Sequence, residues 1–329
     1  MSGYGLTIPL GGLGSVPGLR LAEQAELVAA LPELGYTDVW SAETNGTDAF
    51  TPLVLASQWA PRLRLGTAIV PVFTRGPAVI AMSAATLAAV APGRFRLGLG
   101  ASSPAIVRDW NGFDFEQPYR RTRDVLRFVK AALAGERVDG DFDTFSVTRF
   151  RLDAPPEQPP PVLLAALRAQ MLALAGREAD GVILNWLSAG DVPQCLAAVA
   201  NPDAEVVARI FVCPTEDVDY VRGVVRMMVT AYLTVPAYAA FQQWLGRGPA
   251  LAEMSRCWAA GDRKAALAAV PDEVIDELVV HGSPARCREH VQRYVRAGVR
   301  TPVLALLPTP QMATADGLAG IVSALGSRA

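Results

Sequence analysis

The feature of this chain that most constrains its fold is a regular alternation of short apolar runs with stretches of helical period. Eight runs of strand length occur, at residues 4–9, 37–40, 63–72, 95–99, 162–166, 181–184, 206–213 and 301–307. Helices are predicted between them and at the end, at residues 19–34, 51–59, 78–90, 120–134, 169–177, 192–199 and 317–325. Strands that are apolar throughout are typical of parallel strands covered by helices. Eight right-handed strand–helix units predict an α/β fold, a (β/α)8 TIM barrel.

The chain is longer than a minimal barrel. It has 329 residues, whereas about 250 residues are typical of this fold. One insertion is predicted after strand four, at about residues 138–161, where a hairpin ends in a proline-rich strap. The other is predicted after strand seven, at about residues 217–271, and is mostly helical. We therefore expect a single barrel domain over residues 1–329, with two insertions.

A doubly wound sheet is the alternative architecture. Its support is the run GGLGSVPG at residues 11–18, just after the first strand, with Glu43 at the end of the second strand. A dinucleotide-binding fingerprint needs a third glycine where this run has Pro17. The match is partial, and the barrel is preferred.

Charge and composition exclude several classes of function. The net charge is -2 and the pI is about 5.8, so nothing draws the chain towards nucleic acid or an anionic membrane. It contains no long apolar run of the length that crosses a bilayer and no segment typical of a secretory signal. The four cysteines never form a C-x-x-C pair and are expected to be small buried residues of a reducing compartment. We expect a cytoplasmic globular protein.

Metal and serine chemistry are poorly supported. The two histidines, His281 and His290, lack the i, i+4 spacing of a helical ligand pair, so no metal site is predicted. The run GASSP at residues 100–104 resembles a nucleophile elbow, but proline replaces its closing glycine.

The end of strand four suits a planar ligand better. Glycines in LGLGASSP would let a flat ring or its tail approach the backbone closely. Arg168, at the start of the helix after strand five, could donate a pair of charge-assisted hydrogen bonds to a phosphate beside that helix's N-terminus. An ordinary helix-surface arginine is the competing interpretation.

Several longer motifs resemble the bacterial-luciferase-like family, and more closely its branch that depends on the deazaflavin coenzyme F420. They are LGTAIVPVFTRGP (65–77), GRFRLGLGASSP (93–104), WNGFDFEQPYRRTRD (110–124), PVLLAALRAQMLALAGREADGVILNWLS (161–188) and VHGSPARCREHVQRYVRAGVRTPVL (280–304). The resemblance runs from strand one to strand eight and is weakest between residues 217 and 271. It implies a TIM barrel, an F420-dependent oxidoreductase and a homodimer formed through helices of the N-terminal half.

The resemblance also implies positions for the cofactor. The strand-three bulge behind the ring, with a non-prolyl cis peptide, falls on Ala68 and Ile69. The acidic residue near the ring falls on Glu43, and the strand-four contacts fall on Ala101 and Ser102. The phosphate-side loop falls on Leu167 and Arg168, with Gln170 and Met171 beginning the next helix.

Two departures concern acid–base chemistry. Thr44 stands where the family's sugar-phosphate dehydrogenases carry a catalytic histidine, and Ser103 where they carry a glutamate. Neither hydroxyl titrates near neutral pH, which argues against sugar-phosphate oxidation. The catalytic candidates are therefore Glu43, Thr44 and Ser103, with none assigned.

Three functions remain open. The first is hydride transfer between F420 and a small organic substrate in a pocket roofed by the second insertion. Tyr238, Phe241 and Trp244 are candidate wall residues of that pocket, and packing of the insertion on itself or on a second subunit is the competing interpretation, which is favoured. The second is an FMN-dependent monooxygenase on the same fold. The third is a non-catalytic cofactor-binding barrel.

Overall fold

Eight parallel strand positions close into a barrel in the computed structural model, which describes residues 3–10 and 20–326. The barrel strands are β1 (Tyr4–Thr7), β2 (Tyr36–Ser41), β3 (Arg64–Thr67) with its continuation β4 (Val70–Pro71), β5 (Phe95–Gly100), β8 (Val162–Ala165), β9 (Gly181–Asn185), β10 (Glu205–Cys213) and β12 (Thr301–Leu306). The order around the barrel is β10, β12, β1, β2, β3, β5, β8 and β9, and β9 pairs with β10 to close it. The (β/α)8 prediction is confirmed, and the doubly wound alternative is wrong because the sheet has no open edge between β9 and β10.

Helices follow the strands and cover the barrel. The barrel helices are α1 (Ala25–Ala30), α2 (Thr51–Trp59), α3 (Pro77–Val90), α4 (Pro118–Leu133), α5 (Ala169–Glu178), α6 (Val192–Val199), α13 (Pro284–Arg296) and α14 (Ala315–Leu325). Several begin with proline in their first turn, where a missing N–H costs nothing. The helix predicted over residues 19–34 is shorter than expected, because residues Leu21–Gln24 form a 3-10 turn before α1.

Both insertions have their own structure. The first is the antiparallel hairpin β6 (Val138–Asp141) and β7 (Ser146–Phe150). The second is helical, with α7 (Val218–Tyr220) continuing through a π-helical turn into α8 (Arg226–Leu233), then α9 (Pro236–Trp244), α10 (Ala252–Ala259), α11 (Arg263–Ala268) and α12 (Asp272–Leu278). Among the described residues no single helix is long and apolar enough to cross a membrane. Val218–Leu233 and Pro236–Trp244 reach that length together only across a bend of 97°.

A short strand that the sequence pattern did not predict, β11 (Val279–His281), follows the second insertion. It pairs with β10 at Phe211–Cys213, beyond the point where Asn185 of β9 pairs with Arg209. The end of β10 is therefore flanked by β11 instead of β9. A second apolar core fills this position, where the rings of Trp186 and Phe211 stack with centroids 4.0 Å apart.

The lower half of the barrel is filled by side chains. Trp40 packs there with Leu163, Ile183, Val207 and Val303. The indole takes the space that a side chain on Gly66 would need, since a Cβ at that glycine would lie 2.3 Å from Trp40 Cε3. The barrel is thus a closed core below its carboxyl-terminal end, the end at which ligands bind in this fold.

The third strand, the cysteines and the glycine-rich run were also the subject of predictions. The third strand, predicted as continuous over residues 63–72, divides at Ala68 and Ile69, whose peptide bond is cis as predicted. All four cysteines (Cys195, Cys213, Cys257 and Cys287) are buried and free, as predicted. The GGLGSVPG run at residues 11–18 lies outside the described residues.

Candidate active site at the barrel mouth

The mouth of the barrel is a ring of inward-facing residues. Each of them follows, two positions along its strand, a residue of the layer that fills the lower half of the barrel. Because side chains alternate between the two faces of a strand, the residue after next points the same way. Gly5, Trp40, Gly98, Leu163, Ile183, Val207 and Val303 lie in the lower layer. The corresponding mouth residues are Thr7, Ala42, Gly100, Ala165, Asn185, Arg209 and Ala305.

One side of the mouth is an apolar wall. It is formed by Gly100 and Ala165 of this ring together with Ala68 and Ile69, where the third strand divides. Ala68, Ile69 and Ala165 are partly buried and pack on the barrel's inner core. Gly100 brings the wall together, because a Cβ there would lie 3.0 Å from Ile69 Cγ1 and 3.1 Å from the Cβ of Ala165. The wall is closely packed and carries only small or aliphatic groups, which suits the face of a flat ring.

The other half is a polar arc, formed by Thr7, Asn185 and Arg209. Thr7 Oγ1, Asn185 Oδ1 and Arg209 Nε are buried and have no hydrogen-bond partner within the described part of the chain. Buried polar atoms without partners are uncommon in folded proteins, and each needs an explanation such as a ligand or water. The arc therefore presents polar atoms suited to a bound molecule.

Two tyrosines of the second insertion lie against this arc. Asn185 Nδ2 donates to Tyr238 Oη at 3.1 Å, and Tyr232 lines the cavity beside Arg209. Burial raises the pKa of Tyr238 to about 12, so its phenol is neutral and can donate a proton to a hydrogen bond. Tyr238 thus lies beside the mouth, in contact with a polar residue of the arc.

The other two predicted wall residues lie elsewhere. Phe241 is completely buried in the main core, and its ring stacks with that of Trp244 at 6.1 Å. Of the two interpretations of these side chains, packing holds for Phe241 and Trp244, which pack the insertion onto the barrel and do not line the cavity.

Glu43 is engaged in an ion pair just beyond β2. Arg75 donates from Nε to both carboxylate oxygens, at 3.0 and 3.1 Å, and from Nη2 to Oε2 at 2.7 Å. The backbone N–H of Ala49 also donates to Oε2, at 3.1 Å. The hydrogen bonds to Glu43 raise the pKa of Arg75, which is charged under all ordinary conditions. This carboxylate holds the β2–α2 loop in place.

The remaining candidates divide between the cavity and local turns. Thr44 lines a cavity of about 100 Å³ at the mouth. Ser103 Oγ accepts from the backbone N–H of Ile106 at 3.4 Å, at the start of a short helical turn. Ala101 and Ser102 follow β5 directly, and Ser102 has a left-handed φ of 66°, a conformation that non-glycine residues adopt mostly at special sites.

The predicted phosphate side lies at the start of α5. Leu167 and Met171 are partly buried on the main core, whereas Arg168 and Gln170 are exposed. Arg168 is the residue before the first turn and has an extended backbone. The two halves of this segment therefore differ: the apolar residues anchor the loop, and the polar ones face solvent. Their role in binding stays a prediction.

The sequence analysis missed Thr7, Arg209 and Tyr232. A signal for Arg209 was present, because it is a single charged residue inside an otherwise apolar strand run, at an inward-facing position. No comparable signal marked Thr7, which is one hydroxyl at the end of a short strand.

Neither histidine lies at the mouth. His281 Nε2 is 2.8 Å from Asp276 Oδ1, and the pKa of His290 is lowered chiefly by burial. Within the described residues, no three histidine, cysteine or acidic side chains are grouped as a metal site would need.

Comparisons with known proteins agree with the fold. The luciferase-like monooxygenase family model matches residues 2–301. A Mycobacterium tuberculosis protein named as a coenzyme F420-dependent oxidoreductase is 27% identical, with 92% of this chain and 95% of the relative covered. The 5,10-methylenetetrahydromethanopterin reductase of Methanolobus tindarius is 27% identical, with 87% and 89% covered. Among solved structures, the F420-dependent tetrahydromethanopterin reductase of Methanopyrus kandleri superposes with a TM-score of 0.77 at 19% identity, covering 99% and 97%.

Proposed function

Because the chain belongs to the luciferase-like monooxygenase family and is an oxidoreductase, we propose that it binds coenzyme F420 at the barrel mouth and transfers a hydride between the deazaflavin and a small organic substrate. The observation that carries this proposal is the division of the mouth into an apolar wall and a polar arc. A relative named for coenzyme F420, which matches this chain over 92% of its residues, supports this cofactor over FMN.

The residues present fit a planar, partly polar ring. A Cβ at Gly100 would press on Ile69 and Ala165, so the wall is complete with glycine at that position. Across the mouth, the unpartnered atoms of Thr7 and Asn185 are available to a heterocycle or to the molecule beside it. A pocket with an apolar lining and a few placed polar groups is typical of small-molecule sites.

When bound, the deazaflavin supplies the carbon that donates or accepts the hydride. The residues of this chain would hold it. Ala68 and Ile69 would support the ring, and Ala101 and Ser102 would border it at the end of β5. The free N–H groups at the start of α5, with Arg168 beside them, would bind the phosphate tail.

Glu43, Thr44 and Ser103 are poorly suited to acid–base catalysis. Glu43 has both oxygens engaged by Arg75, and the hydroxyls of Thr44 and Ser103 do not titrate near neutral pH. Tyr238 is a neutral phenol that can donate a hydrogen bond to an oxygen at the mouth. Catalysis would therefore rest mainly on positioning the two reactants and on excluding water.

The test is a fluorescence titration of the purified protein with F420 and, separately, with FMN. We expect micromolar binding of F420 and much weaker binding of FMN. Ala165→Leu, which adds bulk to the apolar wall, should raise the Kd for F420 at least about tenfold, a difference of about 1.4 kcal/mol. Ala252→Leu is the matched control, because Ala252 is exposed on α10 and should leave the Kd unchanged.

Two outcomes would contradict the proposal. Tight FMN binding, with oxygen consumption by the reduced flavin, would assign the protein to the monooxygenases of the family. Equal F420 affinity in wild type and Ala165→Leu would place the ring away from the wall.

A further inference from the structure

Arg209 is a cation placed inside the barrel. It lies on β10 between Val207 and Phe211, which face the same way and belong to apolar cores. In the hydrogen-bond register of the sheet it pairs with Asn185 of β9 and with Val303 of β12. A charged group at such a position is unfavourable in free energy unless it is paired or hydrogen-bonded. An arginine there is therefore expected to have a partner.

No protein partner meets that need among the described residues. Arg209 forms no hydrogen bond or ion pair there, and its Nε is buried and unpaired. Its guanidinium lies over the ring of Phe211, 4.9 Å from the centroid. Residues 11–19, which the structure does not describe, contain no aspartate or glutamate. Nearby Glu43 is already paired with Arg75, so the positive charge of Arg209 is left for a ligand.

The cavity beside Arg209 has room for a small molecule with an apolar body. Its volume is about 100 Å³. Arg209 and Thr7 contribute polar atoms, while Ile8, Ala305 and Leu306 contribute apolar lining. This combination suits a ligand with one charged end and a short hydrocarbon or aromatic remainder.

The position of Arg209 separates it from the predicted ring site. In the order of the barrel, β10 is four strands from β3 and its continuation β4 in either direction. Arg209 and the Ile69 wall are therefore on opposite sides of the mouth. A molecule bound at Arg209 would face a ring that lies against Ile69.

We propose that the substrate of this oxidoreductase carries an anionic oxygen group, a carboxylate in the simplest case, which Arg209 binds with Asn185 and Thr7 beside it. The inference rests on the proposed function, because it names the substrate class of the same site. The guanidinium fork matches a carboxylate, and charge-assisted hydrogen bonds of this kind are the strong ones. The Asn185 amide has two possible orientations, and in the flipped one Oδ1 accepts from Tyr238 while Nδ2 donates into the cavity.

The test uses benzoate as the probe and benzamide as its neutral counterpart, with acetate and acetamide as a smaller pair. Binding is measured by calorimetry on the full chain, both without cofactor and with F420 present. Wild type should bind the carboxylate of each pair at least tenfold more tightly than the amide, and added salt should reduce that preference. Arg209→Gln should abolish it, and Arg209→Lys should retain part of it.

Two further variants test whether the effect is specific to Arg209 and whether it depends on the folding of Arg209→Gln. Arg263→Gln is the matched control, because Arg263 also lies over an aromatic ring, that of Trp258 at 3.6 Å, but outside the mouth. It should behave as wild type. Asn185→Asp keeps the arginine and supplies a carboxylate beside it, and so should remove benzoate binding even if Arg209→Gln does not fold.

The proposal is overturned if neither carboxylate is preferred by wild type, or if the preference survives in Asn185→Asp and in folded Arg209→Gln. It is also overturned if Arg209→Gln weakens F420 binding tenfold while leaving the carboxylate preference intact, since Arg209 would then contact the cofactor. Carboxylate binding without F420 binding would contradict the proposed cofactor and leave the anion site standing.

Discussion

At the scale of the residue, Glu43 and Arg75 form one unit, and we expect their effects on stability to be coupled. The side chains are only 17% and 24% exposed, so removing one charge leaves the other partly buried without a partner. Glu43→Gln should lower the free energy of unfolding by about 1–2 kcal/mol. Urea unfolding of Glu43→Gln, Arg75→Gln and the double variant measures the coupling, which should be about 0.5–3 kcal/mol. Additive losses would show that Glu43 does not depend on Arg75.

Gly98 is a second residue whose identity is set by its surroundings. A Cβ there would lie 2.0 Å from the carbonyl oxygen of Thr67, whose hydroxyl also exchanges two hydrogen bonds with the Gly98 backbone. Gly98→Ala should destabilise the protein by about 1–3 kcal/mol, measured by urea unfolding. Gly320→Ala is the control, because nothing lies within 4 Å of its Cβ position. In a helix that change should be neutral or stabilising, and an equal loss in both variants would contradict the steric argument.

Among the helices, α4 and α5 are joined by an ion pair whose contribution to stability depends on pH. Arg127 donates to Glu178 at 2.7 and 2.9 Å, and these bonds hold the pKa of Glu178 below its usual 4.5. A carboxyl whose pKa is depressed by folding stabilises the fold above its ordinary pKa, and that contribution is lost as the pH falls through the folded value.

Glu178→Gln should therefore reduce the free energy of unfolding at pH 7 and have progressively less effect below pH 4.5. Arg127 is half exposed, so solvent screening limits the loss to about 0.5–1 kcal/mol. Thermal unfolding from pH 7 to pH 3 measures it. Glu116→Gln, at an exposed position before α4, should show no such trend. A pH-independent difference would rule out the ionised pair as its origin.

At the scale of the whole molecule, an exposed apolar stripe on α3 is the best candidate for the predicted homodimer contact. Val79, Met82 and Val90 are spaced so that they share the outer face of the helix, and Val54 is exposed on the neighbouring α2. Both helices belong to the N-terminal half, as the family resemblance implies. Exposed apolar side chains grouped on one face are a feature of interaction sites.

We expect Met82→Glu to convert a dimer into a monomer, because a buried unpaired carboxylate is unfavourable at an apolar interface. Light scattering coupled to size-exclusion chromatography measures the mass. Met227→Glu is the matched control, since Met227 is exposed on α8 in the second insertion and should leave the mass unchanged. A wild-type monomer, or a dimer that Met82→Glu leaves intact, would contradict this assignment.

The repeating strand–helix units could be predicted from the sequence. Periods of two and 3.6 are properties of neighbouring residues, so α2 and α6 have the predicted bounds, and the barrel strands differ by a few residues. The strand division at Ala68 and Ile69 came from the family resemblance, and β11 was not predicted, because a three-residue strand has no period of its own.

The division of the mouth into an apolar wall and a polar arc depends on contacts between distant parts of the chain. Thr7, Asn185 and Arg209 are far apart in the sequence, and the pairing of β9 with β10 sets Asn185 beside Arg209, while Thr7 and Arg209 line one cavity. The packing of the segments after β2 and β4 gives Glu43 a partner 32 residues away, Arg75, and a catalytic candidate is thus half of an ion pair. Strand register sets such contacts, and register depends on the packing of the whole sheet, which no local pattern contains.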